Sequence, residues 1–338
     1  MVTIEHKKER VFKTSPFLYH KNMSILVFNE KTNVTYEEIQ KFILKKLLTT
    51  VDMSILDALY QFEFLNKYLI EQYLNQILPT RQQKQDYKKN LKKMTAQGVI
   101  IRYAFRYNEE TEQKQSPYFY GLSPGAFAYI RKFGRKDASG KKYTIPELNA
   151  TLRRLSLNQF YINFQKDYRH LVKRTLLYHD ITLKEQVYHI PLSLRLRIKA
   201  FKKKYMDISI VTIRRNVNWE KNLLIDLHNI QAVSEQHIFD KNCIIIVAED
   251  ILQIKECFIL LQKQELQDCT FLFTTDVQVA REPVLDYLYE CYYEKKNIVD
   301  KHSNQFEPGS PLRDTNNMKQ VSPELSNVSM LVQKISTT

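Results

Sequence analysis

Between Pro79 and Gly98 the chain holds one helical register, RQQKQDYKKNLKKMTAQG, and its chemistry constrains the fold more than any other stretch. Tyr87, Leu91 and Met94 fall at i, i+4 and i+7, a single apolar stripe that must face a core. Around the rest of the cylinder stand Arg81, Gln82, Gln83, Lys84, Gln85, Lys88, Lys89, Lys92 and Lys93, with Asp86 the lone acid. Pro79 and Thr80 mark its start, and Gly98 marks a left-handed stop. Two apolar helical segments precede it, MSILDALYQFEFL and NKYLIEQYLNQIL. Two strand-like runs follow, VIIRYAFRY and SPYFYGL, around the polar tip NEETEQKQ.

Three helices and then a hairpin is the element order of a winged helix-turn-helix. In such a module the third helix enters a DNA groove and reads bases with its first residues. Here these are Arg and Gln, the side chains that pair bidentately with guanine and adenine edges. Lysines further along suit phosphates, which add affinity without sequence information. The expected DNA-binding set is Arg81, Gln82, Gln83, Lys84, Gln85, Lys88, Lys89 and Lys92 on the helix, with Arg102, Arg106 and Lys114 on the hairpin. A solvated helix face is the competing reading, because Lys and Gln are also ordinary surface residues.

Lys+Arg number 51 against 37 Asp+Glu, a formal charge of +14 that favours a polyanionic partner. Part of that excess belongs to a Lys-, Asn- and Ile-rich composition. Four cysteines lie far apart without a Cys-x-x-Cys, so neither a disulfide framework nor a metal site is expected. The charged start MVTIEHKKER and the lack of a long apolar run predict a soluble, cytoplasmic protein with no membrane partner.

Upstream, MSILVFNE predicts a short strand and TNVTYEEIQKFILKKLLTT a helix, with Thr35 and Glu38 as a capping box. Downstream, SPGAFAYIRKFG predicts a helix closing the module, and the basic, turn-rich RKDASGKKYT reads as a linker or an accessory phosphate contact. LNATLRRLSLNQFYINFQKDYRHLVKR is helical. DISIVTIRR, NCIIIVAED and CTFLFTTD read as buried strands separated by helices, the signature of a small, mostly parallel α/β sheet. EPVLDYLYECYYEKK predicts a last helix. The expected division is an N-terminal extension (1–34), a winged-helix domain (35–134), a basic linker (135–145), an α/β domain (146–298) and a loosely packed tail (299–338), α+β overall.

The span ILDALYQFEFLNKYLIEQYL…KNLKKMTAQGVIIR…YFYGLSPGAFAYI, with LNQFYINF and FLFTTDVQVAREPVLDYLYE, resembles the replication-relaxation family of plasmids and integrative conjugative elements. That resemblance implies a winged helix, a helix with a short Asn-rich motif, and a degenerate restriction-endonuclease-like domain ending in a Thr/Ser–Arg segment, here Thr274, Thr275 and Arg281. It further implies a double-stranded DNA partner, an accessory role in replication or mobilisation, and replication or relaxosome proteins as partners.

A metal-dependent nuclease needs an Asp on one strand and Asp/Glu-x-Lys on the next. Asp207 precedes the first buried run, Glu249 and Asp250 end the second, and Asp276 closes the third, with no Lys at the required spacing. No catalytic residue, cofactor or metal is therefore expected. With only six glycines there is no phosphate-binding loop. His179 and His189 read as surface residues, and Tyr292 and Tyr293 as core or interface aromatics. The alternatives to the lead reading are a winged-helix transcription regulator with an α/β effector or dimerisation domain, a metal-dependent nuclease, and a protein-interaction scaffold. A homodimer fits paired half-sites.

Overall fold

The computed structural model of the chain describes residues 15–29, 31–107, 118–133, 142–197, 205–236, 242–262, 264, 269–281, 283–291 and 318–320. It is a mixed α+β protein in two compact units. Pro16–Asp167 with Arg214–Trp219 makes one; Tyr168–Ile213 and the chain from Glu220 onward, together with Ser15, make the other.

The first unit opens with β1 (Met23–Val27) and α1 (Tyr36–Leu44). The Thr35–Glu38 capping box forms as the sequence predicts: Glu38 N donates to Thr35 Oγ1 at 3.2 Å and Thr35 N to Glu38 Oε2 at 2.8 Å. The Thr35 N–H on the carboxylate, with Lys31 beside it, holds the Glu38 carboxyl below its ordinary range. The helix ends sooner than expected, because Lys46 turns to φ 55°. Next come α2 (Thr50–Phe62), β2 (Leu65–Asn66), α3 (Lys67–Ile77), α4 (Arg81–Ala96), β3 (Ile100–Tyr107), β4 (Tyr118–Leu122), α5 (Pro124–Phe133) and α6 (Leu148–Tyr168). The four strands form an antiparallel sheet in the order β1-β3-β4-β2. Tyr103, Phe105 and Phe119 stack on its inner face against Phe64. Gly98 has φ 72°, and a Cβ there would come within 2.8 Å of Lys31 O and Val34 Cγ2, so both the stop and the tight approach require glycine.

Two boundaries differ from expectation. The expected extension (1–34) holds β1, the whole of which pairs with β3, from Met23↔Tyr107 to Val27↔Tyr103. And α6, expected to open the second domain, belongs to the first unit as far as Asp167. The reason is polar. Asn158 Nδ2 donates to the carbonyls of Phe62 at 2.9 Å and Phe64 at 2.8 Å. Arg154 Nε meets the Glu63 carboxylate at 2.7 Å, and Gln76 Nε2 donates to Ile162 O at 2.9 Å. Between them, Glu63 adopts φ 63°, ψ −55°, with Phe64 N bonded to Phe62 O at 2.7 Å. That is a γ-turn of the strained hand, which persists only when its surroundings dictate it. From Leu155 to Phe164 every residue of α6 is buried, polar ones included, which is why no apolar stripe shows in its sequence.

In the second unit β5 (Val172–Leu183) and β6 (Gln186–Arg197) form a long hairpin, followed by β7 (Tyr205–Thr212), α7 (Trp219–Glu235), β8 (Asn242–Ala248), α8 (Ile251–Gln262), β9 (Thr270–Thr275), α9 (Asp276–Val279), β10 (Tyr289–Cys291) and β11 (Met318–Gln320). The seven-stranded sheet runs in the order β11-β10-β9-β8-β7-β6-β5. Only β7/β8 and β8/β9 are parallel; the flanking pairings are antiparallel. The expected mostly parallel sheet is therefore a mixed one: the buried Ile/Val runs locate its parallel centre and miss its sides. The hairpin escapes sequence reading because Lys184 and Glu185, both at positive φ, make its turn without Asn or Gly. The expected last helix is instead a 3-10 turn at Val284–Tyr287 followed by β10, whose Tyr289 pairs with Phe273. Of the tail, Met318–Gln320 pairs with β10; Tyr292, Tyr293 and the rest of the tail lie outside the described residues.

Candidate nucleic-acid interface

Thr80 caps α4, accepting from Gln83 N at 3.3 Å. Downstream, Tyr87, Leu91 and Met94 are buried as the stripe demands, at 1%, 3% and 0% exposure. Tyr87 Oη donates to the Glu71 carboxylate of α3 at 2.7 Å, and Asn90, a buried polar residue the sequence did not single out, donates to Thr49 Oγ1 at 3.4 Å. These bonds settle the rotation of α4 and leave Lys88, Lys89 and Lys92 exposed on the opposite arc. Lys93 is different. Its Nζ lies 2.5 Å from Asp52 Oδ2 and 3.1 Å from Leu47 O, so it fastens α4 to the capping box that starts α2.

The other expected contacts separate into three groups. Arg81, Gln82, Lys84 and Gln85 lie in the first turns of α4, and their side chains are outside the described set. Gln83 is half-buried, with Oε1 accepting from Thr80 Oγ1 at 3.1 Å. On the hairpin, Arg106 is exposed near the end of β3, and Lys114 lies outside the described residues. The Arg102 guanidinium is half-buried between the Phe28 and Tyr118 rings, 5.7 and 4.9 Å from their centroids. Its backbone N donates to Asn29 Oδ1 at 2.7 Å, while Asn29 Nδ2 donates to Ile100 O at 2.8 Å and Thr95 O at 3.2 Å. Asn29 thus ties the end of β1 to α4 and β3 at once. No helical or alternating pattern marks an isolated Asn in a loop, so sequence reading passed over it.

Of the acids of the second unit, Asp207, Asp250 and Asp276 each engage a neighbouring group. Asp207 sits inside β7 rather than ahead of it, 1% exposed, and takes Arg195 Nε at 2.9 Å and Nη2 at 2.7 Å. Asp250 accepts from Gln253 N at 2.8 Å at the start of α8, and Glu249 N donates to Gln253 Oε1 at 2.9 Å. Asp276 opens α9 and takes a hydrogen bond from Ser15 Oγ. Thr275 caps α9, Thr274 is buried, and Arg281 lies over the Tyr287 ring at 6.0 Å. Exposed His189 pairs through Nδ1 with Asp180 at 2.8 Å, and His179 is exposed as well. Among the described residues no group of His, Cys, Asp and Glu has the spacing of a metal site. Cys243 is in no disulfide, and burial pushes its thiol up to about 12. Among the described residues no helix is long and apolar enough to cross a membrane.

No protein-family model, curated protein or solved structure matches the chain.

Proposed function

We propose that this chain is a sequence-specific double-stranded DNA-binding protein, with α2–α4 and β3–β4 as a winged helix-turn-helix and α4 as its reading helix. The carrying observation is the α4 arc of Lys88, Lys89 and Lys92, exposed while its apolar stripe and Lys93 are engaged inward. Arg106 adds a cation on the neighbouring hairpin. The pairing of β2 with β4 beside the β3–β4 hairpin supports the winged-helix reading.

The resemblance to the replication-relaxation family extends the proposal to an accessory role in the replication or mobilisation of a plasmid or conjugative element. The order of the antiparallel β5–β6–β7, then α7 and the parallel β8, supports a restriction-nuclease-like ancestry for the second unit. Asp207-Ile208-Ser209 sets a serine where a nuclease of that kind holds its lysine, and Arg195 occupies the carboxylate.

Selection from a randomised duplex pool, followed by fluorescence anisotropy across a salt series, tests the reading. Alanine at Arg81, Lys84, Lys88 and Lys89 together should abolish tight binding, each lost phosphate contact lowering the salt slope by about 0.9. Arg81→Ala or Gln82→Ala alone should cost about 1–3 kcal/mol of base discrimination. Unchanged affinity in the quadruple variant overturns the proposal. A footprint over a replication or transfer origin supports the accessory role; one over its own promoter replaces that role with transcriptional regulation.

A further inference from the structure

One stripe of α5 is not explained by packing. Pro124, Phe127, Ala128 and Arg131 recur at helical spacing on a single face. With Lys132 and with Tyr143 from the segment that follows, they line an open cavity of about 510 Å³, within the range of small-ligand sites. Its floor is mostly apolar. Phe127 packs at 5.3 Å from the Tyr60 ring and edge-on to Tyr143 at 5.6 Å. Tyr143 in turn hydrogen-bonds Tyr103, and burial raises the pKa of both phenols, so this wall is fixed and uncharged.

The rim is cationic. Arg131 and Lys132 are exposed, and among the described residues neither belongs to an ion pair. Lys132 is held in place, its Nζ 5.1 Å from the Tyr36 centroid and 5.4 Å from that of Phe133. An aromatic floor closed on one side by two positive charges is complementary to a planar ring that carries an anion a few ångströms away. Burying a purely apolar segment would leave both charges unanswered, and an inorganic anion would leave the floor unused.

We infer that this cavity binds an unpaired nucleotide of a single DNA strand, with the base on Phe127 and Tyr143 and its phosphate against Arg131 and Lys132. Stacking of this kind tolerates any base, because every base offers a π-face, and salt-sensitive contacts to the backbone accompany it. The site is separate from the α4 surface, and it stands whether or not α4 reads duplex DNA. It gives the cation-rich end of α5 a partner, which a solvated helix end does not require.

The test uses the full chain with a fluorescein-labelled oligo-dT of about ten nucleotides and, separately, the selected duplex. Wild type should bind the strand, and Arg131→Ala with Lys132→Ala should weaken that binding by about tenfold or more, since both side chains are exposed and folding is spared. Ala128→Glu, an exposed position that brings a carboxylate into the cavity, should do the same. Both variants should keep wild-type affinity for the duplex, while alanine at Lys88, Lys89 and Lys92 should keep wild-type affinity for the strand. An unbound strand, unaltered binding in the α5 variants, or strand binding lost with the α4 lysines overturns the inference. So does free dTMP competing as well as the strand, or an acidic Phe/Tyr peptide binding where oligo-dT does not.

Discussion

On α4, Lys88, Lys89 and Lys92 face solvent, whereas in the seven-stranded sheet Arg195 gives Nε and Nη2 to buried Asp207. One polypeptide thus holds cations of two kinds. Lys88, Lys89 and Lys92 stand outside the bonds that fix α4, whereas Lys93 beside them fastens the helix. The Arg195 charge is cancelled within its own fold. Net charge alone does not distinguish the two, and only the leftover kind is available to a polyanion.

The sharpest way to break this contrast is Arg195→Ala. It removes the Nε and Nη2 donors from a buried carboxylate and should cost the second unit about 3–5 kcal/mol in urea unfolding. A loss below about 1 kcal/mol would mean the pair is as solvated as the α4 lysines. Asn158→Ala comes next, at about 1–3 kcal/mol, because the Phe64 carbonyl loses its side-chain donor and the γ-turn at Glu63 loses its brace. Replacing Lys88, Lys89 and Lys92 by alanine should shift stability by no more than about 0.5 kcal/mol each while DNA affinity falls, the signature of charge with no internal task. The smallest effect belongs to Glu38. Its carboxyl is depressed in the folded state, so its contribution is complete above the ordinary value of 4.5 and fades as pH falls through the lowered folded value. Thermal melts between neutral and acid pH should therefore show a slightly weaker acid dependence in Glu38→Gln than in wild type. An identical dependence would remove the carboxylate from the helix cap.

What the sequence disclosed follows from how each feature is encoded. The α4 stripe of Tyr87, Leu91 and Met94, the Thr35–Glu38 box and the Gly98 stop are local patterns, each complete within a few residues, and all three are present. The β5–β6 hairpin and the β10 strand depend on partners elsewhere in the chain: a Lys-Glu turn and a run containing Tyr289 carry no period of their own. In the candidate site, the lysines could be read by type and spacing. Lys93 could not be told apart from Lys92, because only the position of Asp52 distinguishes an anchor from a free charge. Arg102 was legible as a cation and illegible as the filling between Phe28 and Tyr118, which lie far apart in sequence.

The grip of α6 on the corner between α2 and β2 has a practical consequence for dissecting the molecule. A fragment cut after residue 134, where composition suggests a natural end, would discard Arg154 and Asn158 and leave Glu63 and its neighbours' carbonyls to water in a bend they do not choose alone. The smallest autonomous piece of the first unit ends no earlier than Asp167, so α2 and α6 are inherited together.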